Sequence, residues 1–188
     1  MTTSQPAGGC PVRREAGYLR VVGHSEVVTV VTDPETFSSG VSRFLQVPNG
    51  LDGEEHAAFR AVIDRFFTTE ALAELEPRLR DVARRIVAGL PRGEVTDVVG
   101  GMGTRYAVQA MLAWLGWEPD LEEELVEWVA DNAAATRSGE IERTRAVAKH
   151  FDEIIVGVLR PRLERLDEPA RDVTDQLLRQ QVQGRGLQ

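Results

Sequence analysis

From Asp52 onward the apolar residues recur at helical rather than strand spacing, and this period constrains the fold of the 188-residue chain more than any other feature. Phe59, Val62, Ile63, Phe66 and Phe67 form the first stripe, and Leu72, Leu75, Leu79, Val82, Ile86 and Leu90 the second. Met102, Tyr106, Met111 and Leu112 mark a segment over residues 98–115 that stops at Gly116, a residue type suited to a left-handed helix end. Pro119 opens a further helix bearing Leu121, Leu125, Trp128, Val129 and Asn132, which Ser138 and Gly139 break. A long stripe follows through Val147, Phe151, Ile154, Ile155 and Val158, extending past a kink at Pro161 to Leu166. Asp172 then caps a short helix containing Leu177 and Leu178, and the tail over residues 183–188 is expected to lack structure of its own.

Strand character is confined to the start. Residues 1–17 read as a flexible arm, residues 18–22 as a short β-prone run, and His24 to Thr32 as either strand or helix ahead of an Asp33-Pro34 turn. Residues 37–53 are punctuated by Ser38, Ser39, Gly40, Pro48, Asn49, Gly50 and Gly53, which makes them a long connection of the kind kept for function and a candidate lid. Asp52, with Glu55 three residues on, has the form of a capping box for the first helix. Thr68-Thr69 restart the chain, Pro77 is expected in the first turn of a second segment of the next helix, and Gly89 and Pro91 close it.

The formal net charge is −8, which disfavours a nucleic-acid partner because such affinity rests on Lys and Arg neutralising phosphates. Cys10 is the only cysteine, so neither an intrachain disulfide nor a thiolate-rich zinc cage is available, and a cytoplasmic location is expected. The first residues lack a basic and apolar leader, and no stretch approaches the roughly 18 apolar residues of a membrane span.

His56 and Arg60 stand four residues apart on the first helix, so both side chains fall on one face, at the border of the apolar stripe beside Ile63 and Phe67. Arginine presents a fixed fork of donors that matches a carboxylate, and a first-turn histidine adds another donor beside it. The pair therefore suits a partly buried anion. Spacing alone also allows Arg60 to pair at the surface with Glu54 or Glu55, and His56 to be solvated.

The flanking residues narrow this choice. His24-Ser25-Glu26-Val27-Val28-Thr29-Val30 is followed by Asp33-Pro34-Glu35-Thr36-Phe37-Ser38-Ser39, then by Asp52-Gly53-Glu54-Glu55-His56-Ala57-Ala58-Phe59-Arg60, then by Phe67-Thr68. In order and interval this resembles the H-x-D/E-V-x-x-V, D-P-x-x-F-S-S, D-P-P-E-H-x-x-x-R and F-T stretches of the bacterial cytochromes P-450, the haem-thiolate monooxygenases. Gly53 and Glu54 stand where that family has two prolines, a departure expected to loosen the entry to the helix. A weaker similarity continues through Leu115-Gly116 to Asp172-Val173-Thr174.

The resemblance implies a mainly α fold with a short N-terminal β element: the amino-terminal portion of the cytochrome P-450 fold, occupying residues 18–188 and ending before the long central helix. It implies haem b as cofactor, with His56 and Arg60 as the residues that hold its propionates. It also implies a small organic substrate, a ferredoxin-type redox partner in the intact enzyme, and a pocket bordered by residues 38–51 and by the turn over residues 132–142. The family's iron ligand lies in an F-x-x-G-x-x-x-C-x-G loop that these residues do not contain, and Cys10 sits in a Gly-Gly-Cys-Pro arm without that context. No catalytic and no metal-ligating residue is therefore assigned, and the chain alone is expected to be inactive, with weak or non-specific haem binding.

Other motifs carry less. E-x-x-R recurs at Glu140/Arg143, Glu142/Arg145 and Glu168/Arg171, as expected in helices rich in both residues. Ala133-Ala134-Ala135-Thr136 resembles the family's oxygen-activating segment but lies on an earlier helix. Gly100, Gly101 and Gly103 mark a helix start rather than a phosphate loop. A stand-alone helical ligand-binding or interaction module without catalysis is the alternative from another functional class. Apolar faces left unpaired in a partial fold are expected to show as an exposed patch.

Overall fold

A computed structural model describes residues 10–41, 46–182 and 184–186. The chain divides into two compact units, one ending at Ala61 and the other beginning at Val62.

The first unit opens with an antiparallel hairpin of β1 (Val12–Glu15) and β2 (Tyr18–Val21). Gly17 takes a left-handed φ of 87° between them, a conformation glycine adopts without steric cost. Arg20 Nε meets Glu15 Oε1 across the strands at 2.6 Å, and the Tyr18 hydroxyl donates to Glu15 Oε2 at 2.5 Å. β1 lies inside the stretch expected to be a flexible arm, so ordered structure begins before residue 18. The valine-rich run that sequence left open between strand and helix is α1 (His24–Thr32). The Thr29 and Thr32 hydroxyls donate to the carbonyls of Ser25 and Val28, one turn earlier, so their polar ends are satisfied within the helix. Asp33 caps the turn that follows, accepting from the Thr36 amide at 3.1 Å.

α2 (Gly53–Ile63) continues into a 3-10 turn, Asp64–Phe67, as the stripe from Phe59 to Phe67 requires. Its start differs from the expected capping box. Gly53 has φ 57°, and the Asp52 carboxylate turns back onto Ser38 and Ser39 instead of satisfying the first-turn amides.

In the second unit, Thr68 caps α3 (Thr69–Ala88), its hydroxyl accepting from the Ala71 amide at 3.2 Å. α3 runs without interruption, so Pro77 lies inside one helix rather than opening a second segment. Asp97 receives the Val99 and Gly100 amides at the head of a π-helical turn, Val98–Gly103, which leads into α4 (Thr104–Leu115). The three glycines are thus a helix entry, as expected. Gly116 closes α4 at φ 75°.

A 3-10 turn at Pro119–Leu121 leads into α5 (Glu122–Ser138), and Gly139 at φ 70° separates it from α6 (Ile141–Leu163). α6 contains Pro161 and stops three residues short of Leu166. α7 (Val173–Leu178) is capped by Asp172, whose Oδ1 accepts from the Asp175 amide at 2.7 Å. The tail is not structureless: β3 (Gln181–Val182) pairs antiparallel with β4 (Arg185–Gly186).

α3 packs on α4, α4 on α5 and α5 on α6. The core between them is Val108, Leu112, Leu125 and Ile154, with Trp117, Leu121, Val126 and Phe151 against it. Trp128 stacks on Phe151 at 4.3 Å and donates its indole N–H to the Val147 carbonyl at 3.0 Å, so its polar edge is satisfied where its ring is packed. The architecture is the expected one: mainly helical, with its longest strands at the start.

Candidate cofactor-binding site

α2 carries both residues singled out by sequence. His56 and Arg60 are one turn apart on an unbroken helix, which places them on one face. His56 is half-buried beside the half-buried Phe59 and Ile63, whereas Arg60 is exposed. The His56 amide donates to the Asp52 carbonyl at 3.3 Å, so the backbone of Asp52 begins the hydrogen-bonded turn that presents the imidazole.

The side chain of Asp52 faces the other way. Its Oδ2 accepts from the Ser38 hydroxyl at 2.6 Å and from the Ser39 amide at 2.9 Å, and Oδ1 lies 3.1 Å from that same amide. The Ser38 hydroxyl in turn accepts from the Gly40 amide at 3.0 Å. The Ser38 bond holds the Asp52 carboxyl below the usual carboxylate range, with smaller contributions from Ser39 and from the charge of His56. One residue therefore joins the start of the long connection to the first turn of α2. Residues 42–45 of that connection, part of the candidate lid, lie outside the described residues.

Sequence reasoning read Asp52 as a helix cap and Ser38 and Ser39 as turn punctuation. Their pairing across the connection was missed. The pattern that could have revealed it is the recurrence of two short hydroxyl residues and a carboxylate at the two ends of one loop.

The arrangement can grip a carboxylate. A guanidinium fork and an imidazole on adjacent turns offer donors to one or two acid groups arriving at the same helix face. This donor set fits the two acid arms of a haem. Cys10 is exposed on the segment leading into β1, and among the described residues no group of three or more His, Cys, Asp or Glu side chains could hold a metal ion.

The remaining motifs resolve into structure. Glu142 and Arg145 form an exposed ion pair one turn apart at 2.5 Å, and Glu168 with Arg171 forms another. Ala133 to Thr136 lie within α5, where the Thr136 hydroxyl donates back to the Asn132 carbonyl at 2.8 Å. Some apolar side chains stand exposed, among them Val27, Val28 and Val31 on α1 and, in the second unit, Phe67 and Leu72. Among the described residues no helix is long and apolar enough to cross a membrane.

No family model matches the sequence. Curated relatives do. Erythromycin C-12 hydroxylase of Saccharopolyspora erythraea is 29% identical over 182 residues, covering 91% of this chain and 45% of that protein. Steroid C26-monooxygenase of Mycolicibacterium smegmatis is 24% identical over 196 residues, covering 96% of this chain and 45% of that protein. Among solved structures, a mutant of P450 EryK in complex with erythromycin B is 29% identical with a TM-score of 0.68, and ligand-free cytochrome P450 TbtJ1 is 25% identical with a TM-score of 0.78. Each of these two covers 95% of this chain and 48% of its own. The chain thus spans about half the length of the relatives it matches.

Proposed function

Since the chain belongs to the cytochrome P-450 family and carries the fold of about half of such a protein, we propose that it supplies the propionate-binding part of a haem monooxygenase. That enzyme oxidises a small organic substrate with O2 and electrons from a ferredoxin-type redox partner. The observation that carries this reading is the His56–Arg60 pair, one helical turn apart on a helix whose first turn is tied to the preceding connection by Asp52.

His56 and Arg60 would hold the two acid arms of the haem. Arg60 offers the fork that pairs with one carboxylate, and His56 offers a ring N–H to the other. When bound, haem with a cysteine thiolate supplies the O2-activating chemistry. The present residues supply the orientation of the porphyrin edge, and the connection over residues 38–51 contributes a wall of the substrate pocket. The 188 residues by themselves bind haem weakly and do not oxidise substrate, because the only thiol, Cys10, lies in an exposed segment.

Fluorescence titration of the purified chain with metal-free protoporphyrin IX, beside its dimethyl ester, tests the site. Apolar sticking treats the two porphyrins alike, whereas recognition through the acid arms favours the free acid. The expected result is a preference for the free acid that His56→Ala and Arg60→Ala each reduce on the order of tenfold, the scale of a lost charge-assisted hydrogen bond. Equal binding of both porphyrins by the unmodified chain would remove the assignment. A reduced-CO spectrum of the thiolate-ligated type from the purified chain would overturn the proposal that it is inactive alone.

A further inference from the structure

The junction between the connection and α2 is built differently here from the double-proline entry that the family motif has at this position. Gly53 has φ 57°, whereas a proline ring holds φ near −65°. A Cβ at Gly53 would meet nothing within 4 Å, so the glycine answers a demand of the backbone rather than of packing. The left-handed step swings the chain between Asp52 and α2, and this lets one residue face two ways. The Asp52 carbonyl accepts the His56 amide at 3.3 Å, while its carboxylate accepts the Ser38 hydroxyl at 2.6 Å and the Ser39 amide at 2.9 Å.

We propose that Asp52 is a positioning residue for the haem-carboxylate site, and that Gly53 is the swivel that makes this role possible. The inference rests on the reading of His56 and Arg60 given above. A residue that only closed a loop would bind Ser38 and Ser39 without consequence for the imidazole. Here the same residue begins the turn that carries His56, so freeing its carboxylate also frees the turn. A donor that must be ordered at the moment of binding gives up affinity to that ordering, whereas a donor held beforehand does not. Asp52 acts through His56 and does not itself approach the ligand, since a carboxylate beside another carboxylate would repel it.

The test uses the full chain and two readouts. The first is hydrogen exchange at the Ser39 amide, which reports the clamp without any ligand. The second is the preference for protoporphyrin IX over its dimethyl ester, which reports the site. In Asp52→Ala, Ser39 exchange is expected to accelerate on the order of tenfold or more, and the porphyrin preference to fall about fivefold to tenfold. Asp52→Asn keeps one acceptor oxygen and is expected to retain part of both. Gly53→Pro, which installs the family's residue, is expected to behave as Asp52→Ala does, with helix content by circular dichroism confirming that the chain still folds.

If Asp52→Ala frees the Ser39 amide but leaves the porphyrin preference intact while His56→Ala abolishes it, the positioning role is wrong and the site stands. If neither His56→Ala nor Arg60→Ala changes the preference, the site reading itself fails and the positioning role falls with it. If Gly53→Pro keeps both readouts at the level of the unmodified chain, the swivel is refuted.

Discussion

Arg162 and Asp172 meet at 3.0 Å beneath the end of α4, where the same guanidinium nitrogen, Nη2, also donates to the Gly116 carbonyl at 2.7 Å. Arg162 Nη1 donates to the Val158 carbonyl at 3.0 Å, and Asp175, only 2% exposed, lies 3.5 Å from its Nε. Asp175 also accepts from Arg165 at 3.2 Å and from the Arg171 amide at 3.0 Å. The cluster ties the ends of α4 and α6 to the start of α7.

A cluster this dry is maintained by its pairing, and removing one partner leaves buried charge only partly compensated. Arg162→Ala is expected to cost about 3–5 kcal/mol of unfolding free energy. Asp175→Ala, which takes the carboxylate from Arg165 and leaves Arg162 with Asp172 alone, is expected to cost about as much. Urea denaturation followed by tryptophan fluorescence measures both. A loss of under about 1 kcal/mol in either variant would mean that the cluster is wetter than its burial implies.

Gly116 offers a sharper test of the same corner. At φ 75°, a Cβ on residue 116 would lie 2.2 Å from the Asp172 Cβ and 2.7 Å from its carboxyl carbon. Gly139 has almost the same backbone, φ 70°, with nothing within 4 Å of its added Cβ. Gly139→Ala should therefore cost only the left-handed penalty, about 1–2 kcal/mol. Gly116→Ala should cost more, about 3 kcal/mol or above, because Asp172 must also move away from Arg162. Equal losses in thermal or urea melts would show that the backbone term alone matters.

The Ser38–Asp52 clamp should depend on acid. Its carboxyl lies below its ordinary value of 3.8 in the folded chain, first because of the Ser38 hydroxyl. A depressed carboxyl contributes above its unfolded value and loses that contribution as pH falls through the folded one. Ser39 amide protection should accordingly be constant from neutrality down to about 3.8 and disappear only below it. Ser38→Ala removes the largest cause and should move the loss upward toward 3.8. An amide shift at Ser39 that titrates identically with and without the Ser38 hydroxyl would contradict this.

How much of this was legible follows from what each element depends on. The helices of the second unit were readable because an apolar face repeats with the helical period whatever it packs against, and Gly116, Gly139 and Asp172 sit where their backbone or capping roles require. β1 was hidden because Val12, Arg13, Arg14 and Glu15 carry no alternation: the strand is largely exposed and is held by its ladder and by Glu15. α1 stayed ambiguous because valines favour strands, and nothing local to the run shows that its Thr29 and Thr32 hydroxyls bond back to carbonyls one turn earlier. That His56 and Arg60 share one face of a helix could be read from their spacing. The direction of the Asp52 carboxylate could not, since a D-x-x-E cap and a loop clamp are written with the same residue, and the left-handed Gly53 decides between them. Nothing in the spacing of Arg162 and Asp175 marks them as buried, because their pairing depends on where the ends of α4, α6 and α7 converge.

The α4–α5 seam separates geometry from burial. Arg105 donates to Glu123 through both terminal nitrogens at 2.6 and 2.8 Å, while Glu122 accepts from Arg105 and from Gln109, each at 2.8 Å. The bidentate pair has the better geometry, but Glu123 is 68% exposed and Glu122 only 23%. Solvent screens the first, so Glu123→Gln should cost little, whereas Glu122→Ala, which leaves the Gln109 amide and part of Arg105 unpaired at the seam, should cost about 1–2 kcal/mol. Arg105 holds the Glu123 carboxyl below its ordinary 4.5, so that small contribution is present above 4.5 and lost only at lower pH. Raising salt should weaken the Glu123 contribution more than that of Glu122. Urea midpoints of the two variants at low and high salt decide the matter, and a larger loss for Glu123 than for Glu122 would mean that the fork outweighs burial in fastening α5 to α4.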